Sequence, residues 1–136
     1  MINVNTLPQT MLTKMLLPHF EKRYNDGNRR SAVINISSIL GKFSMPGFAT
    51  LYCATKAFTD FFSRGFGLRY AESIDTLCVT PWYTSTNMNN HHKIDFKTAR
   101  PKEVAEGSLR ALGWVDSTYG ATKHVIVGFF VDAMLS

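Results

Sequence analysis

Ala32-Val33-Ile34-Asn35-Ile36-Ser37-Ser38 is the stretch from which the fold is read. Five residues, mostly β-branched or apolar, are bounded by polar neighbours, with Asn25-Asp26-Gly27-Asn28 as turn punctuation before them. A short run of that kind predicts a strand buried on both faces, as in a parallel sheet. Working outward, Tyr52 to Tyr70 predicts a long helix with Ala54, Ala57, Phe58, Phe61, Phe62 and Leu68 as its apolar face. Gly65 and Gly67 interrupt it, and glycine on such a face often permits close packing. Ile74 to Thr80 predicts a second strand, closed by Pro81. Pro101 opens another helix that runs to about Gly113. His124 to Phe130 predicts a third strand. Upstream, Met11, Leu12, Met15, Leu16 and Phe20 recur at helical spacing over residues 1 to about 24, with a kink expected at Pro18. Alternation of helix and strand implies an α/β layer with parallel strands. Three strands are few for that architecture, and no strand precedes the first helix, so a piece of something larger is expected.

Composition agrees with a globular chain: 136 residues, 45% hydrophobic and 18% charged. Cys53 and Cys78 both sit in apolar runs and read as buried thiols, so a disulfide scaffold is excluded. The net charge is +5, yet no basic cluster is long and no zinc-finger or RNP-type motif accompanies the charge, which argues against nucleic acid. No apolar span of about 18 residues predicts a transmembrane helix. Val125 to Leu135 comes nearest; it carries Asp132 and reads equally as a membrane-facing tail or as a buried strand with a short helix. Asn35-Ile36-Ser37 matches a glycosylation sequon inside a strand pattern and is read as unused. His91-His92 with Asp95 lies in the polar stretch 82–100 and forms no recognised ligand set, so no metal is assigned.

Chemistry enters with Tyr52-Cys53-Ala54-Thr55-Lys56. A phenol and an ammonium four residues apart share one helix face. A neighbouring cation favours the tyrosinate, which suits a group that gives a proton to an alkoxide. Tyr119-Gly120-Ala121-Thr122-Lys123 has the same spacing in a glycine-containing loop, so spacing alone does not define a site. Context separates the two. Ser38 lies fourteen residues before Tyr52, at the C-terminal end of a predicted strand, where ligands of open α/β sheets bind. Pro81, with Thr84 and Thr86, follows the next strand at the same rim. Taken singly, Ser38 reads as a turn cap and Tyr52 as a packed ring with its hydroxyl outward.

In combination, Asn-Ile-Ser-Ser at 35–38, Tyr-x-x-x-Lys at 52–56, and Pro81 with Thr86 resemble the C-terminal half of a short-chain dehydrogenase/reductase. Ile2-Asn3-Val4-Asn5 before Leu16-Leu17-Pro18 resembles the family's asparagine helix and selects Asn5. The wording around Tyr52 and Pro81 is most similar to the very-long-chain 3-oxoacyl-CoA reductase and 17-beta-hydroxysteroid dehydrogenase group. The resemblance implies a partial Rossmann-like, doubly wound parallel sheet, with residues 1–136 forming the C-terminal part of one domain. It implies NADPH or NADH as cofactor and a lipid-like ketone, a 3-oxoacyl thioester or a steroid, as substrate. Asn5, Ser38, Tyr52 and Lys56 are the catalytic residues it implies: Tyr52 as general acid, Lys56 tuning it and holding the ribose, Ser38 orienting the carbonyl, and Asn5 placing a water that serves Lys56. Tyr52, Lys56, Pro81, Thr84 and Thr86 are the cofactor contacts. A homodimer in the intact protein, membrane association and the cytosolic face of the endoplasmic reticulum are implied too.

This chain departs from the family pattern in three places. No glycine-rich turn of the G-x-x-x-G-x-G kind occurs, so the dinucleotide-binding half is expected to be missing. Ser38 stands fourteen residues from the tyrosine, where the family has thirteen, and Trp82 stands where glycine is common. The expectation is a carbonyl-reductase fragment; the alternative is an inactive remnant kept as a dimerisation or binding module.

Overall fold

A computed structural model describes residues 1–135, apart from the side chains of Phe48, Val131, Asp132, Met134 and Leu135. The chain opens with α1 (Ile2–Asn5) and α2 (Leu7–Gly27), then β1 (Ser31–Ile36). Two short 3-10 turns, Ile39–Gly41 and Gly47–Ala49, lead into α3 (Thr50–Arg69) and β2 (Ile74–Val79). Next come β3 (Tyr83–Thr84), a 3-10 turn at Asn87–Asn89, β4 (Thr98–Ala99), α4 (Pro101–Ala111), β5 (Ser117–Thr118) and α5 (Thr122–Leu135).

The main sheet has the order β1-β2-β5, with every pairing parallel. Ser31 lies opposite Ile74 and Ile36 opposite Val79, while Cys78 and Val79 face Ser117 and Thr118. Parallel neighbours require crossovers, and α3 and α4 supply them. β3 and β4 form a separate two-stranded parallel pair.

Burial differs between the two main strands. Ile74, Leu77, Cys78 and Val79 of β2 are fully buried, because β2 has a strand on each side and helices packed against it. β1, expected to be buried on both faces, is only partly so: Ile36 is 55% exposed. Among the described residues β1 pairs only with β2, which leaves its other edge uncovered.

The first predicted helix divides in two at Thr6, whose hydroxyl donates to the carbonyl of Ile2 at 2.8 Å. Pro8 falls in the opening turn of α2, where proline lacks nothing the helix needs. Helix α2 continues through Pro18 and ends at Asn28, which takes φ 50, a left-handed C-cap. Asn25 to Gly27, read as a turn, are therefore helical.

Two corrections concern periodicity. The run His124 to Phe130 is helix, within α5, and the third strand is the two-residue Ser117–Thr118. A continuous apolar run carries no period that tells strand from helix. On α3 the expected apolar face is not the buried one: Phe61 is 71% and Leu68 83% exposed. The buried side is Cys53, Thr55, Thr59, Asp60 and Ser63. Hydroxyls fill that side because side-chain amides meet them there. Gly67 does permit close packing, since a Cβ there would lie 3.2 Å from Cβ of Thr76 on β2; Gly65 faces open space.

Both cysteines are free and buried, and burial pushes the Cys78 thiol up to about 12. Asn35 of the sequon is buried, its Nδ2 donating to Ser63 Oγ at 2.9 Å. No helix among the described residues is long and apolar enough to cross a membrane.

Candidate active site

The site is assembled at the C-terminal ends of β1 and β2. As β1 ends, Ser37 and Ser38 diverge. Ser37 is buried and its hydroxyl donates to the Lys56 carbonyl at 2.7 Å. Ser38 Oγ accepts from the amide of Leu40 at 3.2 Å, capping the first 3-10 turn. The turn then folds onto α3. A Cβ on Gly41 would lie 2.8 Å from the carbonyl carbon of Lys56 and 2.9 Å from its oxygen, so only glycine permits this approach. The turn is also tied to the next strand's end, for the Ile39 amide donates to the Pro81 carbonyl at 3.1 Å.

Tyr52 and Lys56 lie on the first turns of α3, one turn apart. Lys56 Nζ donates to the Ile36 carbonyl at 2.9 Å and sits 5.6 Å from the centre of the Tyr52 ring. Burial pulls the lysine below its ordinary value. Ser38, Tyr52, Lys56, Pro81, Thr84 and Thr86 all line one cavity of about 720 Å³. Its other walls are largely apolar, with Leu40, Phe43, Trp82, Met88, Val104 and Leu109 among them.

Asn5 stands apart from these groups. It is not among the residues lining the cavity, and its Nδ2 donates to Thr55 Oγ1 at 2.9 Å, on the side of α3 that carries the buried hydroxyls. The other tyrosine–lysine spacing has a different fate. Tyr119 is buried and its hydroxyl accepts from Lys42 Nζ at 2.7 Å. Lys123 turns instead to the carbonyls of Asp95 and Thr98, at 3.0 and 2.9 Å. The two groups have separate partners, and neither lines the cavity.

Asn89 was missed in the sequence. Its Oδ1 accepts from the Thr86 amide at 2.9 Å, and its Nδ2 donates to the Thr84 carbonyl at 2.8 Å. It therefore holds the segment carrying both threonines against the cavity. Thr86-x-x-Asn89 has the spacing of a capping box, which was a readable signal. His91, His92 and Asp95 find separate partners. His91 Nε2 meets Asn87 Oδ1 at 2.5 Å, His92 stacks on Tyr83, and Asp95 Oδ1 accepts from the amides of Lys97 and Thr98.

The family of short chain dehydrogenases matches residues 1–95, and the chain belongs to that family. Zebrafish (Danio rerio) very-long-chain 3-oxoacyl-CoA reductase-A is 34% identical over 130 residues, which cover 95% of this chain and 39% of that protein. Zebrafish 17-beta-hydroxysteroid dehydrogenase type 3 is 32% identical over 134 residues, 98% of this chain and 42% of that one. The chain thus spans about two-fifths of the length of the curated relatives it matches. Among solved structures, a 7beta-hydroxysteroid dehydrogenase superposes with a TM-score of 0.71 at 23% identity, covering 98% of this chain and 52% of that one. The 3-ketoacyl-(acyl-carrier-protein) reductase of Brucella melitensis, complexed with NADH, gives 0.69 at 21%, covering 83% and 49%. These likenesses establish an α/β fold with a parallel Rossmann-type sheet, matching part of each larger chain.

Proposed function

We propose that this chain carries the proton-transfer half of a carbonyl reductase acting on a lipid ketone, a 3-oxoacyl thioester or a steroid. The observation that supports it best is the shared cavity: Ser38, Tyr52 and Lys56 line the same apolar chamber at the C-terminal ends of β1 and β2. Tyr52 is the proton donor to the carbonyl oxygen. Ser38 keeps its hydroxyl proton for that oxygen, since its contact with Leu40 uses it only as an acceptor. Lys56 lends positive charge beside the phenol, and its depressed proton affinity eases proton exchange. Apolar walls suit an alkyl chain or a steroid skeleton.

The residues present fit the nicotinamide–ribose end of NADPH or NADH, with Tyr52 and Lys56 as donors and Pro81, Thr84 and Thr86 at the rim. When bound, such a cofactor supplies the hydride. The family, and relatives whose names include a very-long-chain reductase and a hydroxysteroid dehydrogenase, support this reading. A location at the endoplasmic reticulum membrane belongs to the same proposal.

The test is a chimera in which these residues replace the matching segment of the zebrafish reductase-A, assayed for NADPH consumption with a long-chain 3-oxoacyl-CoA. Turnover that disappears in Tyr52→Phe supports the reading. Turnover that survives the substitution undiminished overturns it.

The second reading, a dimerisation module, is favoured by apolar side chains left exposed on the two long helices: Met11, Leu12 and Met15 on α2, Phe61 and Leu68 on α3. Sedimentation should then show concentration-dependent association that Phe61→Lys weakens. A monomer at all concentrations would remove this reading.

A further inference from the structure

The buried side of α3 carries three hydroxyls one turn apart, Thr55, Thr59 and Ser63, each at most 3% exposed. Each hydroxyl donates its only proton back into its own helix. Thr55 gives to the Tyr52 carbonyl at 2.8 Å, Thr59 to that of Thr55 at 3.2 Å, and Ser63 to that of Thr59 at 2.8 Å. Only lone pairs remain to face outward. Each then meets a side-chain amide presenting N–H: Asn5 Nδ2 on Thr55 at 2.9 Å, Gln9 Nε2 on Thr59 at 3.0 Å, and Asn35 Nδ2 on Ser63 at 2.9 Å. The donors come from three elements, α1, α2 and β1.

We infer that this three-rung ladder is a positioning device that fixes the rotation and axial register of α3, and so sets where Tyr52 and Lys56 stand at the cavity. Apolar packing is non-directional and would tolerate a small turn of the helix. Directional bonds do not. Rotating α3 by one residue, about 100°, breaks every rung. Sliding it by a full turn leaves one amide at the end of the ladder facing no hydroxyl. Buried donors without acceptors are costly, so one register is selected. Asn5, Gln9, Thr55, Thr59, Asn35 and Ser63 are positioning residues here: they act through the helix and stay off the cavity.

The inference extends the proposed reaction, but its test needs no turnover. The 136-residue chain, labelled at its lysines with ¹³C and ¹⁵N, is titrated by NMR as wild type, Thr59→Ser and Thr59→Val. Serine keeps the acceptor; valine keeps the shape and removes it. Thr59→Ser should leave the Lys56 signal and its midpoint at wild-type values. Thr59→Val should lift the Lys56 midpoint above the wild-type value, towards that of a solvated lysine, because the helix lets the amine further into water. An unmoved midpoint in Thr59→Val, or equal displacement by serine and valine, overturns the inference. Should Thr59→Val fail to fold, Gln9→Met removes the donor from the same rung and is read the same way. A chain that passes this test but supports no ketone reduction in the chimera would sink the reductase reading and leave the ladder standing.

Discussion

Lys56 Nζ donates to the carbonyl of Ile36 at 2.9 Å, and this bond joins the helix that carries the phenol to the strand that delivers the serine. One side chain thus sets both the charge beside Tyr52 and the distance between two elements. Replacing it separates those roles. Lys56→Met should reduce carbonyl reduction in the chimera by at least about 100-fold, the usual scale of acid–base assistance. Stability should change by about 1 kcal/mol or less, since a half-buried ammonium is exchanged for an apolar chain of similar length. Steady-state rates and urea midpoints check the two halves.

Gly41→Ala should do the reverse. Its new Cβ would meet main-chain atoms of Lys56 at 2.8 to 2.9 Å, and backbone cannot swing aside as a side chain can. The expected loss is about 1–3 kcal/mol, the range for overpacked sites. A melting temperature equal to wild type would contradict the close approach.

Acid should loosen the chain through His124. Its ring is fully buried, Nε2 faces the Lys97 carbonyl at 3.1 Å, and among the described residues no group meets Nδ1 at full hydrogen-bond geometry. Burial lowers its proton affinity; nearby Lys123 lowers it further, against the carbonyls of Lys97 and Tyr119 and the charge of Glu103. The folded state therefore resists a proton that the unfolded state accepts near pH 6.5. Stability is greatest above that value and falls as pH drops towards the folded midpoint. His124→Gln keeps an N–H for Lys97 and should flatten the dependence. Urea midpoints at about pH 7.5 and 5.5, above the carboxylate range, read it. Equal slopes for the two proteins would refute the assignment.

Alkali should act through Cys78. Its thiol is held up to about 12 by burial, against an ordinary 9.0. Above 9.0 the unfolded chain ionises and the folded one does not, so stability falls with rising pH until about 12. Lys56 opposes this: its lowered value makes stability rise with pH until the ordinary 10.5 is passed. Cys78→Ala removes the thiol's share, and with it the thiolate charge that holds Lys56 up, so the lysine's opposing share persists and burial lowers it unopposed. The difference in slope between the two proteins should be about 1.4 kcal/mol per pH unit. No difference between pH 9.5 and 11 would show that the thiol is not sheltered.

Much of the fold was readable because strong local signals coincide with its main elements. β2, α4 and α3 lie within a residue or two of their sequence bounds, and Pro101 and Pro81 mark the edges. Ser38, Tyr52, Lys56, Pro81, Thr84 and Thr86 share a cavity because strand ends dictate that rim. What stayed hidden was of two kinds. β5 is two residues long and has no pattern to find, while apolar α5 imitates a strand. The buried side of α3 was misassigned because hydrophobic periodicity ignores a hydroxyl satisfied by its own helix. Thr55, Thr59 and Ser63 repeat every four residues in plain view. Their significance depends on Asn5, Gln9 and Asn35, which lie 28 to 50 residues away in sequence.

The fourteen-residue interval between Ser38 and Tyr52 is anchored near both ends. Gly41 is pressed on the Lys56 carbonyl, and the Thr50 hydroxyl grips the Met45 carbonyl at 2.8 Å. Phe43 and Ser44 lie between those clamps, and Phe43 reaches the chamber wall. Spare length can collect there without displacing the hydroxyl of Ser38 or of Tyr52. The width of the chamber at that wall is thereby uncoupled from the placement of Ser38 and Tyr52, and a designer could resize one while leaving the other alone.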